Sequence, residues 1–307
     1  MQTHRLSACI KVYRPLFVTV SIAPVLIGFA AGCAVTSSFK ARLFVLAGLA
    51  MVFLHLGANA ANEYFDYISG NDAYGSNYSI FSGGSKCIQK GLISPKQVLL
   101  QGWIALMVGA GLGVVIVLIT GSFIILVLGI IGLFGGYFYT APPLKIGYRG
   151  FGELLIMFLF GIFPVFGSYY LQTSQLDIFV LLPALLVGGL VFLIILINEF
   201  PDHQADAAVN KETLVVKMGF PRAILIYKIA LSMTYLLAGL MLLIDVTFWA
   251  GLLYLLILPL GFYIFKSVDV NRVQQVNDFL PNKLTLLLHS LGCTALISGF
   301  LVTGFLA

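Results

Sequence analysis

The sequence predicts an all-α polytopic membrane protein, in which nine transmembrane helices form one domain across residues 1–307. Hydrophobic residues make up 60% of the chain and charged residues only 9%, far from the roughly half-apolar, quarter-charged composition of soluble domains. Apolar runs recur at about the 20 residues that a helix needs to cross a bilayer. The runs are long and continuous, whereas strands of a membrane barrel are short and alternate in polarity.

Nine apolar runs define the predicted helices in chain order. They span residues 16–35, 43–62, 98–119, 122–139, 152–171, 178–197, 222–244, 248–265 and 284–306. A basic segment leads into the first run without a small-residue cleavage site, so we expect this helix to be retained in the mature protein.

The distribution of charge predicts the orientation in the cell membrane. With a cytoplasmic N-terminus, 15 of the 17 basic residues lie inside and only Lys40 and Arg42 outside, as the positive-inside rule requires. The same map places 10 of the 12 acidic residues inside, leaving only Asp177 and Asp245 outside with the C-terminus. Because acidic residues contribute little to topology, we expect their clustering to serve function.

Two other classes of function find no support in the sequence. The pI is near 9.0, but topology explains the basic residues and the sequence contains no recognisable nucleic-acid-binding module, so we expect no nucleic-acid partner. The four cysteines are scattered without a CxxC or a metal-ligand spacing. This pattern indicates neither disulfides nor zinc.

A first polar stripe lies at the end of the second apolar run. His55, Asn59, Asn62 and Asp66 are spaced by four, three and four residues, so they share one face of a helix. Mg2+ prefers oxygen ligands of this kind, and it typically takes one or two carboxylates together with substrate phosphate oxygens. The Gly-rich segment 82–86 resembles a backbone nest for phosphate. The alternative is that the stripe merely ends a helix at the water interface.

A second polar stripe follows the sixth apolar run. Asn198, Asp202, Asp206 and Asn210 recur at every fourth residue, with Lys211 directly after them. Two carboxylates four residues apart repel each other unless a cation neutralises them, so the stripe predicts a bound metal ion. A solvated helix end with chance spacing is the alternative. Two such stripes on one membrane face favour a function over chance spacing. They predict the two walls of a single magnesium diphosphate site.

A turn between the stripes carries two further cations. In the segment that begins at Tyr139, a Pro-Pro turn holds Lys145 and Arg149 near the cytoplasmic rim, where both can contact phosphate oxygens. Taken alone, two cations in a cytoplasmic loop are also expected from the positive-inside rule. Glu153 is expected to pair with Arg149, four residues before it.

These motifs resemble those of the UbiA superfamily of intramembrane prenyltransferases, and most of all its MenA branch, the 1,4-dihydroxy-2-naphthoate polyprenyltransferases. The resemblance covers nearly the whole chain. It rests on N-x-x-N-x-Y-x-D-x-x-x-G-x-D over residues 59–72, on segments 148–153 and 167–172, and on Asp202-x-x-x-Asp206 followed by Lys-Glu-Thr-Leu. It implies nine transmembrane helices with two Asp-rich motifs on the cytoplasmic side.

The sequence departs from the family's pattern at three places. Glu63 stands where the family usually has Asp directly after the Asn. Gly70 occupies the position at which benzoate-prenylating relatives carry a further Asp, which leaves Asp72 as its candidate substitute. The turn after Tyr139 lacks the Gly-rich form of typical MenA proteins. The choice between Glu63 and Asp72 as an additional metal ligand therefore stays open.

The resemblance implies Mg2+-dependent transfer of a polyprenyl group from polyprenyl diphosphate to an aromatic acceptor, 1,4-dihydroxy-2-naphthoate, with loss of CO2 and diphosphate in menaquinone biosynthesis. It assigns the metal to Asn62, Asp66, Asp202 and Asp206. It assigns substrate binding to Asn59, Asn62, Lys145, Arg149, Tyr169, Asn198 and Lys211. The catalytic residues that it implies are Asp66, Tyr139, Lys145, Asp202 and Asp206.

Two other functions remain open. A related enzyme would prenylate another acceptor, such as hydroxybenzoate, a different naphthoate or a glycerol-phosphate lipid. A membrane transporter would hold its carboxylates near the midplane, whereas the acidic residues here cluster at one face and the sequence has no evident inverted repeat.

Overall fold

Helices account for nearly all of the chain that the structure describes. The computed structural model describes residues 9–71, 81, 84–275 and 278–306, and no strand occurs among them. This confirms the all-α prediction. The main helices in chain order are α1 (Val18–Thr36), α2 (Ala41–Ser69), α3 (Pro95–Thr120), α4 (Phe123–Phe138), α5 (Gly152–Thr173), α6 (Leu181–Ala208), α7 (Leu214–Met241), α8 (Asp245–Leu255), α9 (Leu258–Ser267) and α10 (Leu280–Leu306).

Eight of the nine predicted runs each coincide with one of these helices, whereas the run 248–265 covers both α8 and α9. Within the described ranges, seven helices are long and apolar enough to cross a membrane. The count rises to eight if α8 and α9, which are bent by 52°, together make one span. Helix α4 has 16 residues, or about 24 Å of rise, which is less than the ~30 Å hydrocarbon core. The nine-helix prediction is therefore met only approximately.

Short-range sequence signals explain where several helices begin and end. Before α3, Ser94 and Gln97 form a capping box in which each side chain accepts from the other residue's backbone N–H, and Pro95 occupies the first helical position. Helix α2 ends at Gly70 (φ 79°) and α3 at Gly121 (φ 63°). Both glycines adopt the left-handed conformation that other residues avoid.

Two helices extend well beyond their apolar runs. Helix α2 continues to Ser69, so the whole first stripe lies on one helix. Helix α6 continues through Pro201 to Ala208 and carries the second stripe from Asn198 to Asp206. The site residues therefore sit on rigid elements anchored in the bundle.

Helix α6 is the central element of the bundle. It is the most buried of the candidate spans and packs against α1, α5, α7 and α10. It also packs against the π-helical turn Phe158–Ile162 within α5. A Cβ added to Gly161 of that turn would lie 2.5 Å from the Cα of Gly188 on α6. Small residues allow this close backbone approach, which sets the distance between α5 and α6.

Both polar stripes lie at the end of the bundle where α2 and α6 finish and α5 begins. Asp177 and Asp245 lie at the opposite end, before α6 and at the start of α8. The cytoplasmic location of the first end, and of the N-terminus, stays a prediction. The single-domain organisation also stays a prediction.

The Gly161 contact predicts a stability effect. We expect Gly161→Ala to lower the free energy of unfolding by about 1–3 kcal/mol, because the added methyl group forces α5 and α6 apart. Thermal unfolding in detergent measures the change. Gly111→Ala is the matched control, since a Cβ at Gly111 meets no atom within 4 Å. Equal midpoints for the two variants would contradict the packing argument.

Candidate active site

A cavity of about 180 Å3 lies between α2 and α6 at the end of the bundle that carries the stripes. Its polar wall includes six residues of the two stripes: Asn59, Asn62, Asp66, Asn198, Asp202 and Asp206. Its apolar wall consists of Val20, Ile156, Phe160, Val191, Ile194 and Ile195. The structure therefore brings the two stripes to one cavity, and the cavity offers a ligand both polar and apolar surfaces.

Lys211 joins the two stripes. Its Nζ lies 3.6 Å from Asp66 Oδ2 and 3.4 Å from Asp206 Oδ1. Asn210 adopts a left-handed backbone (φ 54°) just after α6, a conformation in which Asn is enriched. The Lys211 N–H then donates to the carbonyl oxygen of Asp206 at 2.8 Å. This reversal of the chain turns the lysine back over the end of its own helix.

Further hydrogen bonds fix the two carboxylates. The Tyr148 hydroxyl donates to Asp66 Oδ1 at 2.9 Å, and Asn62 Nδ2 donates to Asp66 Oδ2 at 3.1 Å. Asn71 Nδ2 donates to Asp206 Oδ1 at 2.7 Å. Both aspartates are buried, so these donors and Lys211 replace the water that a carboxylate otherwise needs.

The electrostatics of the cavity keep its cation charged and its phenols protonated. Burial acts to lower the pKa of Lys211, but the carboxylates of Asp206 and Asp66 outweigh burial and hold that pKa well above its ordinary value. Burial, with Asp66 close by, raises the pKa of Tyr148. Burial likewise raises the pKa of Tyr139. Tyr148 is therefore a hydroxyl donor to Asp66 at neutral pH.

The turn that follows α4 places Tyr139 in the cavity wall and its two cations farther out. The Tyr139 ring packs against Gly147, where an added Cβ would lie 2.8 Å from the ring. Lys145 does not line the cavity, although its Nζ lies 5.2 Å from the centroid of the Tyr148 ring. Arg149 is exposed and donates to the carbonyl oxygen of Pro143 at 3.2 Å. Of these two cations, Lys145 has its ammonium group against the ring of Tyr148, whose hydroxyl contacts Asp66, whereas the Arg149 guanidinium points to Pro143.

Tyr169 lies far from this cavity. It is fully buried, packs edge-on against Phe179, and its hydroxyl donates to Asp177 at the opposite end of the bundle. Tyr169 follows Gly152 by 17 residues along α5, a rise of about 25 Å. The structure thus does not bring Tyr169 to the other predicted site residues, and we assign it no substrate contact.

Glu63, which directly follows Asn62 of the first stripe, has a clear structural partner. Glu63 is buried and accepts hydrogen bonds from Ser85, including one of 2.8 Å from the backbone N–H. Glu63 thereby ties the chain after the first stripe to α2. Asp72 lies outside the described residues, as do Ser82 and Gly83 of the predicted phosphate nest.

The expected pairing of Glu153 with Arg149 is wrong. Glu153 Oε1 accepts a hydrogen bond of 2.7 Å from the backbone N–H of Leu214, the first residue of α7. Arg149 precedes the start of α5 at Gly152, so the two residues do not occupy successive turns of one helix. The i, i+4 rule therefore does not apply to them.

Several cavity residues escaped the sequence analysis. Arg14, Asn71, Glu199 and Thr213 line the cavity, and Tyr148 contacts Asp66 from outside it. Asn71 and Tyr148 fall inside segments that resemble the family, which is the one signal that could have singled them out. Arg14 and Thr213 reach the cavity only through the folding of distant segments.

The donor set suits a divalent cation shared with a ligand. Among the described residues, no three His, Cys, Asp or Glu side chains are grouped as a metal cage. Asn62 Oδ1 is buried and has no hydrogen-bond partner within the described chain, and the donors around it are carboxylate and amide oxygens. Such a set fits an ion that takes one or two carboxylates and completes its coordination with phosphate oxygens.

Together, the fold and the cavity define an integral membrane protein with a carboxylate-rich site at one end of a helical bundle. A family model described as the UbiA prenyltransferase family matches residues 21–291. The chain belongs to this family and is a polyprenyltransferase.

Curated relatives share a quarter to a third of their residues with this chain. A 1,4-dihydroxy-2-naphthoate octaprenyltransferase of Haemophilus influenzae is 30% identical, over 80% of this chain and 80% of that protein. A protein of the same name from Mycobacterium tuberculosis is 32% identical, over 70% of this chain and 71% of its own length. A 2-carboxy-1,4-naphthoquinone phytyltransferase of Synechocystis is 24% identical, over 83% and 80%.

Solved structures share the fold at low sequence identity. A UbiA homologue from Archaeoglobus fulgidus, bound to DMAPP and Mg2+, has a TM-score of 0.66 at 16% identity and covers 94% of this chain and 99% of its own. The apo structure of a UbiA homologue from Aeropyrum pernix has a TM-score of 0.69 at 13% identity, with 91% and 97% covered.

The position of Lys211 predicts that it stabilises the folded protein. We expect Lys211→Met to lower the free energy of unfolding by about 3–5 kcal/mol, because the variant leaves two buried carboxylates without their cation. Thermal unfolding in detergent at neutral pH measures the effect. Lys217→Met is the control, since Lys217 forms its 3.0 Å ion pair with the exposed Glu212. A midpoint for Lys211→Met at or above that of the control would refute the bridging role.

Proposed function

We propose that the protein transfers a polyprenyl group from a polyprenyl diphosphate to 1,4-dihydroxy-2-naphthoate, with loss of CO2 and diphosphate, in menaquinone biosynthesis. The observation that carries this proposal is the Lys211 bridge between Asp66 and Asp206, above an apolar cavity wall. Cationic and hard-oxygen groups suit the diphosphate, and the apolar wall suits the carbon that it leaves. The naphthoate octaprenyltransferases among the relatives support the choice of acceptor.

Binding of the diphosphate would use the residues around this bridge. Mg2+ would be held by Asn62, Asp66, Asp202 and Asp206. When bound, Mg2+ neutralises the diphosphate and stabilises it as a leaving group. Lys211 would contact the non-bridging oxygens and favour the negative charge that develops on them. Tyr148 would keep the Asp66 carboxylate in place through its hydrogen bond.

The remaining predicted contacts extend the same site. Asn59 and Asn198 line the cavity, where their amides would contact substrate. Lys145, beside Tyr148, would reach the diphosphate at the rim, and Arg149 would add positive charge from farther out. The Tyr139 ring would attract the allylic cation that forms as diphosphate leaves. The surrounding bundle would exclude water from that cation.

An apolar cavity supports a long prenyl chain as the donor. It measures about 260 Å3 and is lined by α2, α3, α4 and α5, with Val25 of α1. The first cavity reaches Ala58 on α2 and Gly136 on α4, and the second begins one turn deeper, at Leu54 and Leu133. A prenyl chain whose diphosphate lay at Lys211 would continue in this direction. On the predicted topology, the diphosphate would bind at the cytoplasmic face.

Product analysis tests the proposed reaction. Purified protein, Mg2+, a polyprenyl diphosphate and a panel of aromatic acids are incubated, and products are identified by mass spectrometry. We expect prenylated product from 1,4-dihydroxy-2-naphthoate, formation of CO2, and no product after EDTA because the diphosphate is then not neutralised. Product from hydroxybenzoate or another acceptor alone would replace the naphthoate assignment. Product that persists in EDTA would refute the metal requirement.

Substitution of the aspartates tests the site itself. We expect Asp66→Ala, Asp202→Ala and Asp206→Ala each to lower turnover by roughly 10²-fold or more, because each removes charge that holds the metal and diphosphate. Asp245→Ala serves as the control, since Asp245 is exposed at the opposite end of the bundle. Circular dichroism checks that each variant is folded. Full activity in a folded aspartate variant would remove that residue from the site.

A further inference from the structure

We propose that Glu199, Glu153 and Thr213 form a separate subsite that accepts a hydrogen bond from a ring hydroxyl of the aromatic acceptor. The inference rests on the proposed function, since it assigns the acceptor half of the same cavity. None of the three residues belongs to the polar stripes. In the described structure, Thr213 contacts Lys211 through its backbone N–H, which donates to the Lys211 carbonyl oxygen at 3.0 Å. Support comes from the burial of all three residues, from the cavity position of Glu199 and Thr213, and from oxygen atoms that no N–H or hydroxyl group of the protein pairs.

Glu199 lies deeper in the bundle than the diphosphate end of the site. It precedes Asp206 by seven residues on α6, so the two carboxyls share a helix face about 10 Å apart along the axis. Glu199 and Thr213 line the cavity, and Ile195, one turn deeper on α6, belongs to the apolar wall. The subsite therefore lies between the predicted leaving group and the apolar wall, where the reacting ring must lie.

Buried oxygen atoms of these residues have no protein donor. Glu199, Glu153 and Thr213 are 6%, 1% and 2% exposed. Over the described ranges, no N–H or hydroxyl group of the protein donates to Glu199 Oε2, Glu153 Oε2 or Thr213 Oγ1. Leaving buried polar atoms unpaired is costly, so such atoms in a cavity wall indicate a ligand group that pairs with them.

The subsite is held rigidly. Glu153 Oε1 accepts the Leu214 N–H at 2.7 Å, which fixes the Glu153 carboxyl against the first turn of α7. The Glu199 carboxyl is close enough to hydrogen-bond to Glu153 through one shared proton. That proton occupies one lone pair on each oxygen and leaves the second for a ligand. Thr213 directly precedes α7 and uses its hydroxyl for no helix cap. Glu153 on α5 is thus fixed beside the start of α7, next to Thr213 in the chain, and Glu199 on α6 lies within reach of Glu153.

The chemistry of these groups identifies the ligand class. Carboxyl oxygens repel a diphosphate or a carboxylate, and a prenyl chain has no donor to offer. A phenolic hydroxyl donates a hydrogen bond to a carboxyl oxygen and can accept one from the Thr213 hydroxyl. Accepting that hydrogen bond raises electron density on the ring and fixes which ring carbon faces the prenyl group. The subsite would bind one of the two hydroxyls of a dihydroxynaphthoate.

Binding measurements without turnover test the subsite. The probes are 1-hydroxy-2-naphthoate, 4-hydroxy-2-naphthoate and 2-naphthoate, followed by their own fluorescence with purified protein in detergent. We expect Glu199→Met to weaken binding of at least one hydroxynaphthoate roughly ten- to hundredfold, as for loss of a hydrogen bond to a charged group. Binding of 2-naphthoate should stay unchanged, since it has no hydroxyl.

Two further variants guard against a purely structural effect. Thr213→Val removes an unpaired hydroxyl at nearly constant volume, and we expect it to weaken the same hydroxynaphthoate. Glu212→Met is the matched control, because Glu212 is an exposed carboxylate that pairs with Lys217 at 3.0 Å and does not line the cavity. Thermal midpoints confirm that all variants are folded.

The outcomes separate this inference from the proposed function. Equal weakening of 2-naphthoate, or unchanged binding of both hydroxynaphthoates in Glu199→Met and Thr213→Val, would overturn the subsite. Failure of the wild type to bind any hydroxynaphthoate would also overturn it. Selective weakening in a protein that prenylates no naphthoate would support the subsite and refute the proposed reaction.

Discussion

The structure of this site depends on Lys211, a largely buried lysine whose charge holds α2 and α6 together. Lys211 lies between Asp66 on α2 and Asp206 on α6, two carboxylates that would repel each other without it. Tyr148 and Asn62 donate hydrogen bonds to the Asp66 carboxylate, and Asn71 donates one to the Asp206 carboxylate. These donors complete the coordination that Lys211 begins. A cation is thus built into the site before any ligand binds, and it comes from the loop after α6.

This arrangement explains why the acidic residues tolerate their position in a membrane protein. A carboxylate removed from water needs both a counter-charge and hydrogen bonds, and each aspartate has both. The same oxygens would then exchange part of this coordination for a metal ion and a diphosphate. A site of this kind is held ready without a preformed metal cage, in line with the lack of one among the described residues.

Much of the fold was predictable because long apolar runs have few alternatives in a bilayer. Helix ends were less predictable, since α2 and α6 continue as helix after their sequence turns polar. The stripes were predictable from helical periodicity, which places Asn62 with Asp66 and Asp202 with Asp206. The position of Tyr169 at the opposite end of the bundle was not predictable from its motif, because a motif takes no account of rise along a helix. Contacts such as Asn71 with Asp206 depend on how loops return to the bundle, and periodicity carries no information about that.

The π-helical turn Phe158–Ile162 lets α5 present one face to the cavity and, farther along, another face to α1. Each extra residue in a helical turn rotates the rest of the helix by about 100°, and such turns recur at functional sites. Before and within the turn, Ile156 and Phe160 face the cavity. After it, Ser168 and Gln172 pack against glycines of α1. A one-residue deletion here would restore a regular helix and misalign one of these two faces, so the length of this segment is constrained independently of its composition.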